Sequence, residues 1–110
     1  MKRIEAFIRT DMQNAVVNSL TSVGVGGLTV TKSQGRGSGE RPEIQGGRGT
    51  TRYVAEYNNV ITVVTVVDDS KVDSVINAIT DTASTGKKGD GKIFISTVDE
   101  SVDITTKKKT

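Results

Sequence analysis

Two strand–helix–strand patterns, separated by a glycine-rich stretch, occupy most of this chain, and few folds accommodate that order. From Lys2 to Arg9 the residues alternate, with Ile4, Ala6 and Ile8 on one face and Arg3, Glu5, Phe7 and Arg9 on the other. That period of two marks a half-buried strand. Thr10 or Asp11 is placed to cap a helix whose apolar residues Met12, Val16, Leu20 and Val23 recur every three or four positions, and Gly24 stands where a helix end calls for a left-handed residue. Leu28 to Ser33 reads as a second strand. The pattern then repeats. Strand character returns at Tyr53, and Val60–Val67 is almost wholly apolar or β-branched. Asp69 or Ser70 caps a helix with a stripe of Val72, Val75, Ile76, Ile79 and Ala83, Gly86 ends it, and Lys92–Val98 forms the last strand. Right-handed crossovers fold this order into an α+β, ferredoxin-like double β-α-β: a four-stranded antiparallel sheet with both helices on one face.

One strand carries the prediction further. Val60–Val67 puts Val60, Val64 and Val66 on one face and Ile61, Val63 and Val67 on the other. Two helices cover only one side of such a sheet, so the second apolar face needs another partner, and self-association is the simplest supply.

Composition narrows the function. The 110 residues suffice for one domain with one core. Aromatics make up only 4%, which leaves that core to Val, Ile, Leu and Ala. There is no cysteine and no histidine, which removes thiolate chemistry and the commonest general base and metal ligand. The pair Asp68-Asp69 sits at a helix start, where capping and the helix dipole explain it. The chain is expected not to be an enzyme and to have no metal site of its own. A net charge of +2 supplies no strong pull toward nucleic acid or membrane. RNA-recognition domains share the expected topology but stack bases on strand aromatics; here only Phe7 and Phe94 lie in the central strands and none falls on Val60–Val67, so no nucleic acid is expected. Glu5 and Arg9 interrupt any apolar leader after Met1-Lys2-Arg3, and no run approaches the ~20 apolar residues of a membrane span. A cytoplasmic protein is expected.

Two segments carry chemistry. From Gln34 to Arg52 regular pattern disappears; the stretch holds six of the twelve glycines, the only proline and Arg36, Arg41, Arg48 and Arg52. A loop this long is usually functional or disordered. The second segment, Thr85 to Ile95, is a glycine-rich turn running straight into an apolar strand. Gly86, Gly89 and Gly91 permit positive φ, so several N–H groups can turn toward one point, and Lys87, Lys88 and Lys92 add charge suited to phosphate oxygens. The plain alternative is a helix-to-strand connector whose glycines serve geometry alone. The Lys107–Lys109 run reads as a solvated, disordered tail.

The pattern Thr-x-x-x-Gly-Asp-Gly-Lys-Ile-Phe-Ile resembles the B-loop signature of the PII signal-transduction proteins, trimeric sensors of adenine nucleotide and metabolites. The opening Met-Lys-Arg-Ile-Glu-Ala-Phe-Ile is similar to the first strand of that family, and Val23-Gly24-Val25-Gly26-Gly27-Leu28-Thr29-Val30 is similar to the segment around its adenine pocket. The resemblance implies one PII-like domain over residues 1–110, with a T-loop at about 34–54, a B-loop at 85–92 and a C-terminal tail at 99–110. It implies a homotrimer with ATP, ADP or AMP in the clefts between subunits. Gly89, Asp90, Gly91 and Lys92 would hold the phosphates, with Gly35, Gly37 and Ser38 approaching from the T-loop base. Gly27, Leu28, Thr29 and Val66 would surround the adenine. Arg36 is open to two readings, a phosphate contact or a solvated charge. Mg²⁺ would enter only through nucleotide phosphates.

By the same resemblance, the T-loop binds and regulates a target in nitrogen or ammonium metabolism, such as an ammonium transporter or a nitrogen-assimilation enzyme, and any membrane association comes through a transporter. Arg48 matches an arginine that some members insert into the transporter pore, and is equally readable as a solvated loop charge. Tyr53 aligns with the tyrosine that some members uridylylate, but its neighbours differ, and a buried strand-edge tyrosine is the reading preferred here.

The chain departs from the family pattern at the metabolite site. Ser38 and Gly39 stand where many members carry Arg-Gln, and Val60 stands where they carry a lysine that pairs with 2-oxoglutarate. The expected alternative is therefore a diverged sensor of another small anion, such as bicarbonate, without a 2-oxoglutarate response. Asp103 and Thr105 replace two arginines that reach a neighbour's phosphates. Asp103 would repel a triphosphate if it pointed inward, whereas Lys107–Lys109 could restore the charge.

Overall fold

The computed structural model describes residues 1–36, 43–45, 52–54 and 57–110. Strand β1 (Lys2–Arg9) leads through a 3-10 turn, Thr10–Met12, into helix α1 (Gln13–Ser22). Strands β2 (Thr29–Gly35), β3 (Glu43–Gln45), β4 (Arg52–Val54) and β5 (Asn58–Val67) follow. A second 3-10 turn, Asp69–Lys71, then precedes helix α2 (Val72–Ala83) and strand β6 (Gly91–Thr97). Four strands form an antiparallel sheet in the order β2-β5-β1-β6, the ferredoxin-like arrangement. No helix of the described residues is long and apolar enough to cross a membrane.

The alternation along β1 decides which side is core. Ile4, Ala6 and Ile8 are buried, and their partners across β5 are Thr65, Val63 and Ile61. Over this row pack Val16 and Leu20 of α1 and Val75, Ala78, Ile79 and Ala83 of α2. Met12, Val23 and Val72 are partly buried at its margin, as is Ile93. Ala78 was not in the expected stripe. It marks the helix crossing, where the Ser19 hydroxyl donates to the Ala78 carbonyl at 3.2 Å. The other face of the sheet carries Val60, Thr62, Val64 and Val66 of β5, Phe7 of β1 and Phe94 of β6. Val66 is 45% and Phe94 52% exposed, so the second apolar face anticipated from the alternation is present and uncovered within one chain.

Several local expectations change. Neither helix start carries a side-chain cap: each is entered through a 3-10 turn, which tightens the first turn instead. Asp11 is held by Arg9 at 2.9 Å and Asp69 by the N-terminal ammonium at 3.1 Å. Gly24 does adopt φ +83 beyond α1. Its N–H donates to Thr21 and that of Val25 to Leu20, both at 3.1 Å, the paired bonds of a Schellman end. Gly86 does not end α2. The helix stops at Ala83, and Ser84 is already extended at ψ 128.

The 34–52 stretch is not wholly irregular, since β3 pairs with β4 through Glu43↔Val54, Ile44↔Tyr53 and Gln45↔Arg52. Tyr53 thus lies in a strand, as expected. Phe94 lies on an edge strand rather than a central one. The tail is folded. Asp103 accepts N–H bonds from Thr105 at 2.9 Å and Thr106 at 3.0 Å, and Val102 bridges Lys109.

Leu20 is fully buried between the helices and the sheet. Leu20→Ala should cost about 2–5 kcal/mol of stability, through lost transfer energy and the cavity left behind. Urea denaturation would read this as a lower midpoint with an unchanged slope.

Candidate functional site

The turn after α2 owes its shape to one carboxylate. Asp90 accepts the Thr85 N–H at 2.6 Å, the Thr85 hydroxyl at 2.5 Å and the Gly86 N–H at 3.0 Å. Gly86 and Gly89 sit at φ +79 and +92, conformations that a side chain would strain. The convergence of amides foreseen from the glycines therefore exists, but for Thr85 and Gly86 it points at Asp90. Bonds from the Thr85 hydroxyl first, and then from the Thr85 N–H, hold the Asp90 carboxyl below its ordinary pKa.

Gly91 has a different reason to be glycine. It opens β6 opposite Ile8 at φ +122, and a Cβ there would lie 1.8 Å from the Phe7 carbonyl oxygen. Close approach to β1, rather than to a ligand, forbids any side chain. Lys92 comes next, opposite Phe7 on the uncovered face. Its ammonium lies 5.8 Å from the centre of the Phe94 ring, within cation–π range. Phe94 in turn meets Phe7 edge-on, with ring centres 5.9 Å apart.

The expected adenine contacts are elsewhere. Gly27 and Leu28 lead into Thr29, the first residue of β2, which pairs with Val64; Thr29 is exposed and Leu28 half-buried. Val66 lies nearby on β5, on the uncovered face. In the order β2-β5-β1-β6, three strand spacings, roughly 14 Å, separate the Gly27–Thr29 edge from the Gly89–Lys92 edge. One chain thus keeps the two sets apart. Gly35 ends β2 opposite Asn58, and Arg36 beside it is exposed. Gly37, Ser38 and Arg48 lie outside the described residues.

Two grooves flank the glycine turn. One, of about 480 Å³, is bordered by Phe7, Arg9, Asn58, Asn59, Lys88 and Gly89. Val60 also lines it with an aliphatic side chain, and Asp11, which is paired with Arg9, lines it too. The other, of about 430 Å³, runs between α2 and β6 past Ile76, Ile79 and Ile95. Sequence reasoning missed Phe7, Arg9, Asn58 and Asn59 as neighbours of the turn. Only the register Gly91↔Ile8 and Ile8↔Ile61 brings them there, and no motif reports it. Among the described residues no cluster of acidic side chains could hold a metal.

The pKa of Asp90 fixes how the turn responds to acid. Its folded value lies below the ordinary 3.8, so ionised Asp90 stabilises the turn at every pH above 3.8, and that stabilisation is lost as pH falls through the lower, folded value. An NMR titration should find the Asp90 carboxyl titrating below 3.8, with the Thr85 and Gly86 amide resonances moving in step. In Asp90→Ala those resonances should already be displaced at neutral pH. A carboxyl titrating at or above 3.8 would contradict this account.

With the geometry in view, comparison with known proteins is direct. Residues 1–108 match the family model described as Nitrogen regulatory protein P-II. A protein of that name from Nostoc punctiforme is 38% identical over 109 residues, 99% of this chain and 96% of its own length. One from Porphyra purpurea is 40% identical over 108 residues, covering 96% and 93%. The counterpart from Azospirillum brasilense is 38% identical over 109 residues, covering 99% and 96%. A family match over residues 1–108 and identity at this level over nearly the full length of both chains show that the chain belongs to the nitrogen regulatory P-II family of signal-transduction proteins, regulators rather than enzymes.

Proposed function

We propose that this chain is a nucleotide-responsive regulator that works as a homotrimer in the cytoplasm. ATP, ADP or AMP lodges where the β6 edge of one copy meets the β2 edge of another. Phosphates lie against Gly89–Lys92, and the base lies near Gly27–Thr29 and Val66. The observation that carries this reading is the separation of those two groups on opposite edges of one sheet. A ligand that touches both is served by two copies set edge to edge, and the uncovered face with Val66 and Phe94 gives the copies a reason to associate.

Within the turn, Asp90 is occupied by Thr85 and Gly86. Phosphate would be held by the later part of the turn and by Lys88 and Lys92, with Mg²⁺ entering only on the nucleotide. Occupancy of the cleft, adjacent to Gly35 and Arg36, would order the 34–54 loop that engages a target in nitrogen metabolism, an ammonium transporter or an assimilatory enzyme. Val60, which lines the groove, offers no charge to a carboxylate, and on that ground a small anion such as bicarbonate is preferred to 2-oxoglutarate as co-effector.

Sedimentation equilibrium should give three times the protomer mass. Thermal-shift titration should raise Tm with adenine nucleotides and leave it unmoved by added 2-oxoglutarate. Lys92→Ala should abolish the nucleotide shift while keeping the unliganded Tm, since Lys92 is an exposed residue on an edge strand. A monomer, or a shift that survives Lys92→Ala, would refute the proposal.

A further inference from the structure

Thr65 is the one polar side chain fully buried in the core of the described residues, 4% exposed in a row that otherwise reads Ile61, Val63 and Val67. A hydroxyl in such a row costs stability unless it is hydrogen-bonded. It donates to the Gly27 carbonyl at 2.6 Å. The ladder between β2 and β5 ends at Thr29↔Val64, so Gly27 lies beyond the last main-chain pair and a side chain holds it instead. Gly27 is exposed, and a Cβ added there would meet nothing within 4 Å, so no side-chain packing fixes this residue. The connection from α1 is tied at its other end as well, where the Lys71 ammonium donates to the Gly24 carbonyl at 2.9 Å. Between these two anchors the backbone path into Thr29 is set, with Leu28 packed on the core.

We infer that Thr65 is a positioning residue of the nucleotide cleft: through the Gly27 carbonyl it sets the place and direction of the Gly27–Thr29 edge. This rests on the nucleotide reading above, because the tether matters to function only if that edge meets a ligand. Valine would suit the aliphatic row at least as well for packing, so the hydroxyl is accounted for by the bond it makes.

The test compares wild type, Thr65→Val and Thr65→Ser as full-length protein. It uses calorimetry with ATP and with ADP, urea denaturation, and NMR of the Gly27, Leu28 and Thr29 amides. Thr65→Val should keep the unfolding midpoint yet weaken nucleotide binding at least fivefold and displace those amide resonances. Thr65→Ser, which retains the hydroxyl, should bind within twofold of wild type. If Thr65→Val binds as wild type does, or Thr65→Ser is as weak as Thr65→Val, the inference is overturned while the nucleotide reading stands. A Thr65→Val protein that does not fold would reduce Thr65 to a purely structural role and also overturn it. Wild type that binds neither nucleotide would sink the nucleotide reading itself, and this inference with it.

Discussion

Because β1 is bonded along both edges, from Lys2↔Val67 to Arg9↔Val60 on one side and from Lys2↔Thr97 to Ile8↔Gly91 on the other, its register governs the whole molecule. A slip of one residue would turn Ile4, Ala6 and Ile8 out to solvent and Arg3, Glu5 and Phe7 into the core. The same register carries Gly91 up against the Phe7 carbonyl, which fixes where the glycine turn emerges. It also places Lys92 and Phe94 beside Phe7 on the uncovered face. The site therefore inherits its geometry from the packing of a strand that contributes little chemistry of its own.

Two turns rich in lysine are organised by the same device. Asp90 gathers the amides of Thr85 and Gly86, and Asp103 gathers those of Thr105 and Thr106. In each, a carboxylate within the chain occupies N–H groups that an outside anion could otherwise use. The Asp103 carboxylate is turned toward the Thr105 and Thr106 amides of its own turn. The C-terminal hairpin also doubles back so that Lys108 and Lys109 lie level with Val102 and Asp103, while Ile104 at its tip is 93% exposed. The Lys109 ammonium is paired with Glu100 at 3.1 Å.

The sheet is buried on one side only. The helices protect the row containing Ile4, Ala6 and Ile8. The opposite row combines Val64, Val66 and Phe94 with polar Thr29, Thr31 and Ser33, and Ser33 meets Thr62 at 3.1 Å.

The residue pattern alone determined the two strand–helix–strand units, the buried faces of β1 and both helices, the need for a left-handed residue at Gly24, and the resemblance to the family. These are local matters of period, conformational freedom and motif. Tertiary structure decided the rest. Which of the two apolar faces of β5 is buried was left to the packing. Which strands lie side by side is not written in any one segment, so the opposite placement of Gly27–Thr29 and Gly89–Lys92 became visible only with the order β2-β5-β1-β6. The same holds for Phe94 on an edge, Asn58 and Asn59 beside the turn, and Thr65 reaching Gly27 across 38 residues. The fold also assigns the aspartates their partners: Asp90 accepts from Thr85 and Gly86, and Asp11 and Asp69, expected as helix caps, pair with Arg9 and the N-terminal ammonium. A carboxylate's role depends on which N–H or ammonium group the fold brings within about 3 Å, and that choice is made by the packed chain.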